Sequence, residues 1–399
     1  MPRERVLAAL NHEEPDRVPI DLSSVGPTGI HLRAYERLLE VLGIQEDIHL
    51  RDVTGQLAQP SEAVLNLIGA DVRGIRVGGA AYNPPLTAEN EITDHWGAVW
   101  RRTADGLCYS LARFPLQHAS LSDLAAHPWP DGKAPELVAG LAERARYLHE
   151  ETPYAVLGEF AGHIFERAQM VRGFDTFLVD LVANREFAEE LMDRILAIEI
   201  DIVSGFLDAV GSHIDIIAFK DDLAMQSGPI VSPRLFRDAI KPRMRRLIEA
   251  IRSRTQAKLW FHSCGSVVFA IPDLIDLGVD VLNPVQVRAA NMDTARLKRE
   301  FGKNMAFWGG IDTQHVLPFG TPEDVRDEVR RRIGDLAPGG GYVLSSVHNI
   351  EADVPGENIW AMYQAAHTFG RYPVHDVGRL STGATARISG AAGIETRPT

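Results

Sequence analysis

The sequence predicts an α/β protein of the (β/α)₈ TIM-barrel class with its active site at the C-terminal mouth. From about Tyr154 onward, short apolar runs alternate with longer amphipathic stretches, a pattern typical of parallel strands joined by helical crossovers. The apolar runs occupy residues 154–160, 213–222, 257–265, 279–286, 305–312 and 342–348. Each run ends in polar or small residues, and in a barrel the carboxyl ends of all strands converge on one mouth. An open doubly wound sheet usually carries a glycine-rich phosphate loop, and neither G-x-G-x-x-G nor G-x-x-x-x-G-K-[ST] occurs in the chain.

The composition is that of a large globular protein. Its 399 residues are 45% hydrophobic and 24% charged, which excludes a largely disordered or collagen-like chain. The formal net charge of −13 argues against a generic nucleic-acid binder or a polybasic membrane-surface protein. Cys108 and Cys264 are the only thiols, too few for a disulfide framework, so a reducing compartment is expected. The N-terminus does not resemble a signal peptide and no apolar run is long enough for a bilayer, which predicts a cytoplasmic protein.

The chain organisation predicts one barrel domain over residues 1–375 and a mobile tail over residues 376–399, where small, polar and Gly-rich sequence cannot offset the entropy of ordering. Residues 50–130 are expected to form short strands and loops. Helices are predicted at Arg3–Asn11, Leu32–Leu42, Phe187–Asp208, Ser232–Ser253 and Pro322–Leu336, and a first short strand at Arg17–Leu22. Gly43 follows the second of these helices and is a favourable C-terminal cap.

His262 and Cys264 are the first candidates for chemistry. Residues i and i+2 at the end of a strand point to the same face, so both side chains are expected in the barrel mouth. An imidazole with a thiolate favours Zn²⁺, which needs a third protein ligand. His348, after the last predicted strand, is either that third ligand or a general acid/base. The structural alternatives are a buried cysteine beside a hydrogen-bonded histidine, and a His348 that ties its loop together.

Carboxylates and amides at other strand ends are further site candidates. Asp221 and Asp222 are adjacent and face opposite ways on a strand, so only one can enter the mouth as base, metal ligand or orienter of a ligating histidine, while the other is expected to cap or pair with a helix. Glu159 and Glu166 are similar candidates, although Glu166 beside Arg167 on a helix is typical of an ion pair. The predicted substrate contacts are Gln226, Gln286, Asp312, Gln314 and Glu159.

Several segments together resemble the uroporphyrinogen decarboxylase superfamily, and more closely its branch of zinc-dependent, corrinoid-linked methyltransferases. They are RVLAALNHEEPDRVPID, FERAQMVRGFDTFLVDL, KDDLAMQSGPIVSPRLFRDAIKPRMRRL, WFHSCGSV, DVLNPVQVRAANMDTARLKREFG, FWGGIDTQHVLPFGTPEDV and GGGYVLSSVHNIEADVPGENI. The resemblance covers nearly everything up to about residue 370 and implies a barrel with its site at the C-terminal mouth.

The resemblance implies three functional hypotheses. Methyltransferases of the family bind Zn²⁺ through a His-x-Cys pair, matched by His262 and Cys264, and a later Cys, where this chain offers His348. The leading hypothesis is therefore a zinc-dependent methyltransferase, and because the D-x-H-x-x-G cobalamin signature is missing, its corrinoid would belong to a partner protein. Decarboxylases of the family grip a porphyrinogen with an Arg-rich N-terminal motif, where only Arg17 is found here. The third hypothesis is a catalytically silent ligand-binding barrel. The resemblance also suggests a homodimer.

Overall fold

The computed structural model describes residues 1–78 and 90–374. The predicted mobile tail at 376–399 lies outside the described residues, as do residues 79–89 of the segment expected to form short strands and loops. The assignment of residues 1–375 to a single domain stays a prediction. Among the described residues, no helix has both the length and the apolar character needed to cross a bilayer.

The strands form one large parallel sheet and three small antiparallel ones. In chain order they are β1 (Ile30–His31), β2 (Leu50–Asp52), β3 (Leu57–Ala58), β4 (Val72–Arg76), β5 (Glu91–Thr93), β6 (Val99–Arg102), β7 (Tyr109–Arg113), β8 (Ala155–Glu159), β9 (Ile216–Lys220), β10 (Ala224–Met225), β11 (Gly228–Pro229), β12 (Lys258–His262), β13 (Val281–Asn283), β14 (Ala306–Trp308) and β15 (Tyr342–Val343). The parallel sheet has the order β15-β14-β13-β12-β9-β8-β4. The small sheets, β1-β3-β2, β5-β6-β7 and β10-β11, are all built from residues between the barrel strands or before them.

An irregular segment takes the place of the eighth strand and closes the barrel. The backbone N–H of Leu344, just after β15, donates to the carbonyl of Pro19, and the N–H of Asp21 donates back to the carbonyl of Leu344. On the other side, the N–H of Asp71, just before β4, donates to the carbonyl of Ile20. The prediction of a regular strand at Arg17–Leu22 is wrong, because only isolated bridges form there and Pro19 has no N–H to contribute to a ladder. The α/β barrel prediction itself is confirmed.

The helices lie outside the barrel and across its ends. They are α1 (Pro2–Leu10), α2 (Leu32–Leu42), α3 (Glu62–Ile68), α4 (Asp123–Ala126), α5 (Leu141–Glu151), α6 (Phe165–Arg172), α7 (Phe174–Ala183), α8 (Arg185–Val210), α9 (Pro233–Leu235), α10 (Lys241–Arg252), α11 (Ile271–Asp276), α12 (Thr294–Phe301), α13 (Val316–Phe319), α14 (Pro322–Leu336) and α15 (Gly356–Phe369). A π-helical stretch, Phe236–Ile240, joins α9 to α10, so the helix predicted at Ser232–Ser253 is present with a wider turn inside it. The other four predicted helices are present within a few residues of their expected bounds, and Gly43 caps α2 with φ of 67°.

Alternation along the strands divides the core into two parts. Alternate strand residues such as Ile216, Ala218 and Trp260 form a cluster inside the barrel, which α1 completes with Val6 and Leu10. The residues between them belong to the larger core under the surrounding helices. The inward positions continue to the carboxyl ends of the strands, and this period of two decides which polar side chains enter the mouth.

Candidate metal centre and adjoining cavity

Three neighbouring strands bring inward-facing polar residues side by side at the mouth. Lys220 ends β9, His262 ends β12 and Asn283 ends β13, and in the parallel register His262 lies opposite both of the others. Paired residues on neighbouring parallel strands point to the same face. Because Trp260 is inside the barrel, the next inward position along β12 is His262.

The structure brings His262, Cys264 and His348 together in a group of potential metal ligands. One ligand atom from each of the three lies within 4.8 Å of the other two. The Cys264 Sγ is 3.4 Å from Nε2 of His262, and the rings of the two histidines have centroids 5.5 Å apart. The loop after β15 carries His348 back over the mouth to meet the two residues at the end of β12.

Asn283 fixes which nitrogen of His262 can bind a cation. The Asn283 side-chain amide donates to the carbonyl of Trp308 at 3.0 Å, which leaves its Oδ1 facing Nδ1 of His262 at 2.6 Å. An amide oxygen only accepts, so Nδ1 carries the proton and donates it. The lone pair of His262 is therefore on Nε2, the atom that faces Cys264.

The protonation states of the three groups follow from their burial. Burial lowers the pKa of His262 to about 3 and, with His262 nearby, lowers the pKa of His348 to about 3 as well. Both imidazoles are thus neutral ligands at pH 7. Burial raises the pKa of Cys264 well above its ordinary value, and the carboxylates of Asp222 and Glu166 act in the same direction. A bound divalent cation would reverse this shift, because it deprotonates a coordinating thiol.

The triad fits the requirements of a zinc site. Zn–S bonds of about 2.3 Å and Zn–N bonds of about 2.0 Å at a tetrahedral angle separate sulfur from nitrogen by about 3.5 Å. The observed 3.4 Å between Cys264 Sγ and His262 Nε2 matches that spacing. Two neutral imidazoles and one thiol also form a donor set typical of catalytic zinc, which leaves a fourth position for substrate.

The adjacent acids Asp221 and Asp222 face different parts of the structure. Asp221 accepts hydrogen bonds from the backbone N–H groups of Ile164, Phe165 and Glu166, at the start of α6. These contacts support a helix-capping role and give its predicted catalytic role no geometric support. Asp222 instead faces the triad: its Oδ1 accepts from the N–H of Cys264 at 2.8 Å and lies 3.9 Å from Nε2 of His262.

Glu166 belongs to the same buried cluster. Its Oε2 is 3.7 Å from Nε2 of His163, which burial keeps neutral by lowering its pKa, and no ion pair forms between Glu166 and Arg167. Burial, reinforced by the charge of Asp222, raises the pKa of Glu166 to about 7. The carboxyl group therefore keeps its proton to a higher pH than an exposed glutamate does.

A cavity of about 220 Å³ opens at the mouth beside this cluster. It is lined by Gly26, Asp52, Thr54, Arg76, Val77, Ile92, Asp94, His95, Trp100, Glu159, Phe160, Ala161, His163, Arg167, Met170 and Lys220. Glu159 was predicted as a substrate contact and does line the cavity, where its carboxylate is held by Arg51 at 2.7 Å and by the N–H of Gly26.

The other predicted substrate contacts do not line this cavity. Gln286 accepts from the N–H of Gly265 at 2.5 Å and so holds the loop that carries Cys264. Asp312 is buried, where it pairs with Arg288 at 2.6 Å and accepts from the backbone of its own loop. The side chains of Gln226 and Gln314 are exposed. Their proposed contacts with substrate stay predictions.

Sequence reasoning did not single out Asn283, Lys220, Arg76 or His163. Asn283 and Lys220 end the strands β13 and β9, so the rule that selected His262 also selects them, but they carry neither the imidazole nor the thiol that marked His262 and Cys264. The strand β4, which ends at the cavity with Arg76, agrees with the short strands expected within residues 50–130, but it was not identified as a barrel strand because Gly74 and two arginines interrupt its apolar pattern. His163 has no strand signal at all, since it lies in the loop between β8 and α6.

With this geometry in place, comparison with known proteins decides the family. The family model for uroporphyrinogen decarboxylase (URO-D) matches residues 113–369, well over half of the chain. The chain belongs to the uroporphyrinogen decarboxylase family. The matched residues include strands β8 to β15 and all three members of the ligand triad. The triad therefore lies within the family domain.

Individual relatives are distant. The chain is 24% identical over 188 residues to uroporphyrinogen decarboxylase of Neisseria meningitidis serogroup C, a match covering 46% of this chain and 49% of that protein. It is 26% identical over 270 residues to the enzyme of Ralstonia nicotianae, covering 65% of this chain and 71% of the relative. The chain thus spans about half the length of the first curated relatives it matches.

Among solved structures, a methyltransferase from Methanosarcina mazei has a similar fold. The two chains superpose with a TM-score of 0.63 over 92% of this chain and 98% of the other, at 21% sequence identity. At that identity the likeness shows the fold alone. It supports the barrel as the fold that both proteins share.

Proposed function

We propose that this protein is a zinc-dependent methyltransferase that moves a methyl group between a small methylated substrate and a corrinoid carried by a partner protein. The observation that carries the proposal is the meeting of His262, Cys264 and His348, whose ligand atoms lie within 4.8 Å of one another at the barrel mouth. The similarity of fold to a methyltransferase supports the reaction class. The corrinoid partner rests on the resemblance in sequence.

The chain's own residues would divide the work at this site. Zn²⁺ held by the triad would supply a Lewis acid, polarising the heteroatom that loses its methyl group or keeping a thiol as its thiolate. Asn283 holds His262 in the tautomer that presents Nε2. Asp222 positions Cys264 by accepting its N–H. Glu166, with a pKa of about 7, can hold at its carboxyl oxygen the proton that a leaving heteroatom needs.

A second candidate is decarboxylation, which the family model and the curated relatives favour. The charges around the cavity speak against a substrate with many carboxylates. Among the described residues, the lining contains three cations, Arg76, Arg167 and Lys220, and three carboxylates, whereas a polycarboxylate would need a clear excess of cations. Arg17, the one arginine expected from the sequence to serve a porphyrinogen, pairs with Asp71 just before β4, at the opposite end of the barrel from the mouth.

The proposal is tested by following methyl transfer to reduced cobalamin, which replaces the partner's corrinoid. The zinc-loaded protein is incubated with methanol, methylamines, methyl thioethers or aryl methyl ethers, and the cobalt spectrum reports the methylated product. We expect turnover with at least one donor class. Cys264→Ser should lose it, and Cys108→Ser, which changes the exposed second cysteine, should not.

Parallel incubation with uroporphyrinogen separates the alternatives. Loss of substrate carboxylates that is unaffected by a chelator would overturn the proposal in favour of decarboxylation. Ligand-dependent thermal stabilisation without turnover of any compound would favour the silent barrel. Methyl transfer that survives Cys264→Ser at the wild-type rate would remove the role given to the triad.

A further inference from the structure

Lys220 is a cation at the mouth that forms no close contact with a carboxylate of the described residues. Its ammonium group makes no hydrogen bond or ion pair with any part of the chain that the structure describes, although its side chain is half-buried and lines the cavity. It lies opposite His262 in the sheet register and points to the same face. The carboxylates of Glu159, Glu166 and Asp222 interact with its charge at longer range, but none of them forms a close ion pair with it. The ammonium group can therefore still make a direct contact with a ligand.

Arg167 and His163 lie on the same wall with similarly incomplete contacts. Arg167 is 6% exposed, yet its nearest carboxylate oxygen, from Asp94, is 3.8 Å away, and its buried Nε has no partner among the described residues. Its other contacts are with uncharged groups: the sulfur of Met170 at 3.4 Å, Nδ1 of His163 at 3.4 Å and the ring of Trp96. The Nε2 of His163 is buried and makes no hydrogen bond within the described residues, and its nearest carboxylate oxygen, Oε2 of Glu166, is 3.7 Å away.

The carboxylates around the cavity are already engaged, in contrast to these donors. Glu159 accepts from Arg51 and Gly26. Asp94 accepts from the indole of Trp100 and from two backbone N–H groups, and Asp52 accepts from Thr54 and the N–H of Gly55. The lining has balanced formal charge, but its unused hydrogen-bonding capacity is cationic. The cavity therefore offers a place for an anion.

The rest of the lining limits what that anion can be. The side chains of Val77, Ile92, Trp100, Phe160 and Met170 form an apolar part of the wall, and the whole space is about 220 Å³. A small organic molecule with one charged end fits this lining, whereas a macrocycle with many acidic arms does not. Since Lys220 and His262 are opposed in the sheet, a ligand anchored on Lys220 has its other end within reach of the triad.

We propose that Lys220, assisted by Arg167, binds a carboxylate group of the substrate, and that the substrate is a small methylated carboxylic acid. The methylated end of this substrate rests on the proposed function, and its carboxylate end rests on the residues that line the cavity. Lys220 is then a specificity-determining residue: it selects the anionic end while the methyl-bearing end reaches His262, Cys264 and His348. One charge-assisted contact of this kind strengthens binding by about ten- to a hundredfold.

Matched pairs of ligands test the assignment by binding alone. Calorimetric titration of the full chain compares methoxyacetate, methylthioacetate and para-methoxybenzoate, each with its neutral amide. We expect at least one acid to bind about tenfold or more tightly than its amide. Lys220→Met should abolish that preference by lowering the affinity for the acid and not for the amide. Lys220→Arg should keep most of the preference. Lys303→Met, which removes an exposed surface lysine, is the matched control and should change nothing.

Each alternative outcome overturns the assignment. If no acid binds more tightly than its amide, the cavity does not select a carboxylate. If Lys220→Met weakens the binding of the acid and of its amide equally, Lys220 stabilises the fold beside neighbouring carboxylate side chains and does not contact the ligand. Binding and turnover of the wild-type protein separate this inference from the proposed function: an acid preference in a wild-type protein that transfers no methyl group leaves the carboxylate site standing while the proposed reaction fails.

Discussion

The Nδ1 of His262 donates to Oδ1 of Asn283 across 2.6 Å, linking the ends of two neighbouring barrel strands. Asn283 is fully buried, and its own orientation is set by the Trp308 carbonyl on the next strand. The direction of the His262 lone pair is thus built into the barrel before any ligand arrives. A catalytic metal site depends on such support, because a ligand held in one tautomer and one orientation needs no rearrangement when it binds.

Removing this support should weaken metal binding without unfolding the protein. Asn283→Ala leaves Nδ1 of His262 without its acceptor, and loss of such an outer hydrogen bond typically lowers metal affinity by about 10- to 100-fold. Competition with a zinc-binding dye measures the change, and Asn304→Ala, at an exposed position, is the control. Wild-type zinc affinity in a folded Asn283→Ala protein would show that Asn283 does not position His262.

The position of the triad could be predicted because it depends on local rules. His262 and Cys264 are two residues apart at the end of an apolar run, so the strand period alone puts them on one face. That His348 meets them could not be derived from spacing, since it lies in a loop beyond Leu344, and its approach depends on the closed ring of strands. Lys220 and Asn283 follow the same strand-end rule as His262, and they were missed because residue type rather than position guided the choice.

Asp221 and Asp222 should respond differently to the same substitution. Asp221→Ala removes the acceptor for three N–H groups at the start of α6 and should lower the free energy of unfolding by about 1–3 kcal/mol, with zinc content unchanged. Asp222→Ala releases the N–H of Cys264 and should lower zinc affinity with a smaller effect on stability. Urea unfolding and metal analysis of both variants check this, and the reverse pattern would exchange the two roles.

The irregular first barrel segment shows where sequence patterns stop being informative. RVPIDL has the apolar alternation of a strand, yet Pro19 cannot donate to a ladder and the segment forms only single bridges. Conversely, β4 lies where only unspecified short strands were expected, and it was not recognised as a barrel strand because Val72–Arg76 contains Gly74 and two arginines. Gly74 is required there because a Cβ would lie 1.8 Å from the carbonyl oxygen of Ser24, a contact between distant segments that local sequence does not reveal.

Glu199 predicts a pH dependence of stability that is independent of any metal. It is fully buried in α8, and burial raises its pKa from 4.5 to about 7. Between these pH values the folded protein keeps the proton that the unfolded chain loses, so this group's contribution to stability is present below about pH 4.5 and is lost as the pH rises through 7.

Glu199→Gln should therefore stabilise the protein more at alkaline than at acidic pH. We expect the gain in unfolding free energy over wild type to grow by about 1–2 kcal/mol between about pH 5.5 and about pH 8.5, measured by urea denaturation. Glu190→Gln, in the same helix but with an exposed side chain paired to Arg194, is the control and should show no such growth. A gain that is the same at both pH values would mean that Glu199 is ionised in the folded state across this range.

The most direct test of the metal centre is X-ray absorption of the zinc-loaded protein combined with its metal content. We expect one Zn²⁺ per chain with one sulfur and two imidazole nitrogens as protein ligands, and Cys264→Ser should remove the sulfur signal while Cys108→Ser keeps it. A protein that binds no zinc, or one whose zinc shows no sulfur ligand, would contradict the assignment of His262, Cys264 and His348 as its metal site.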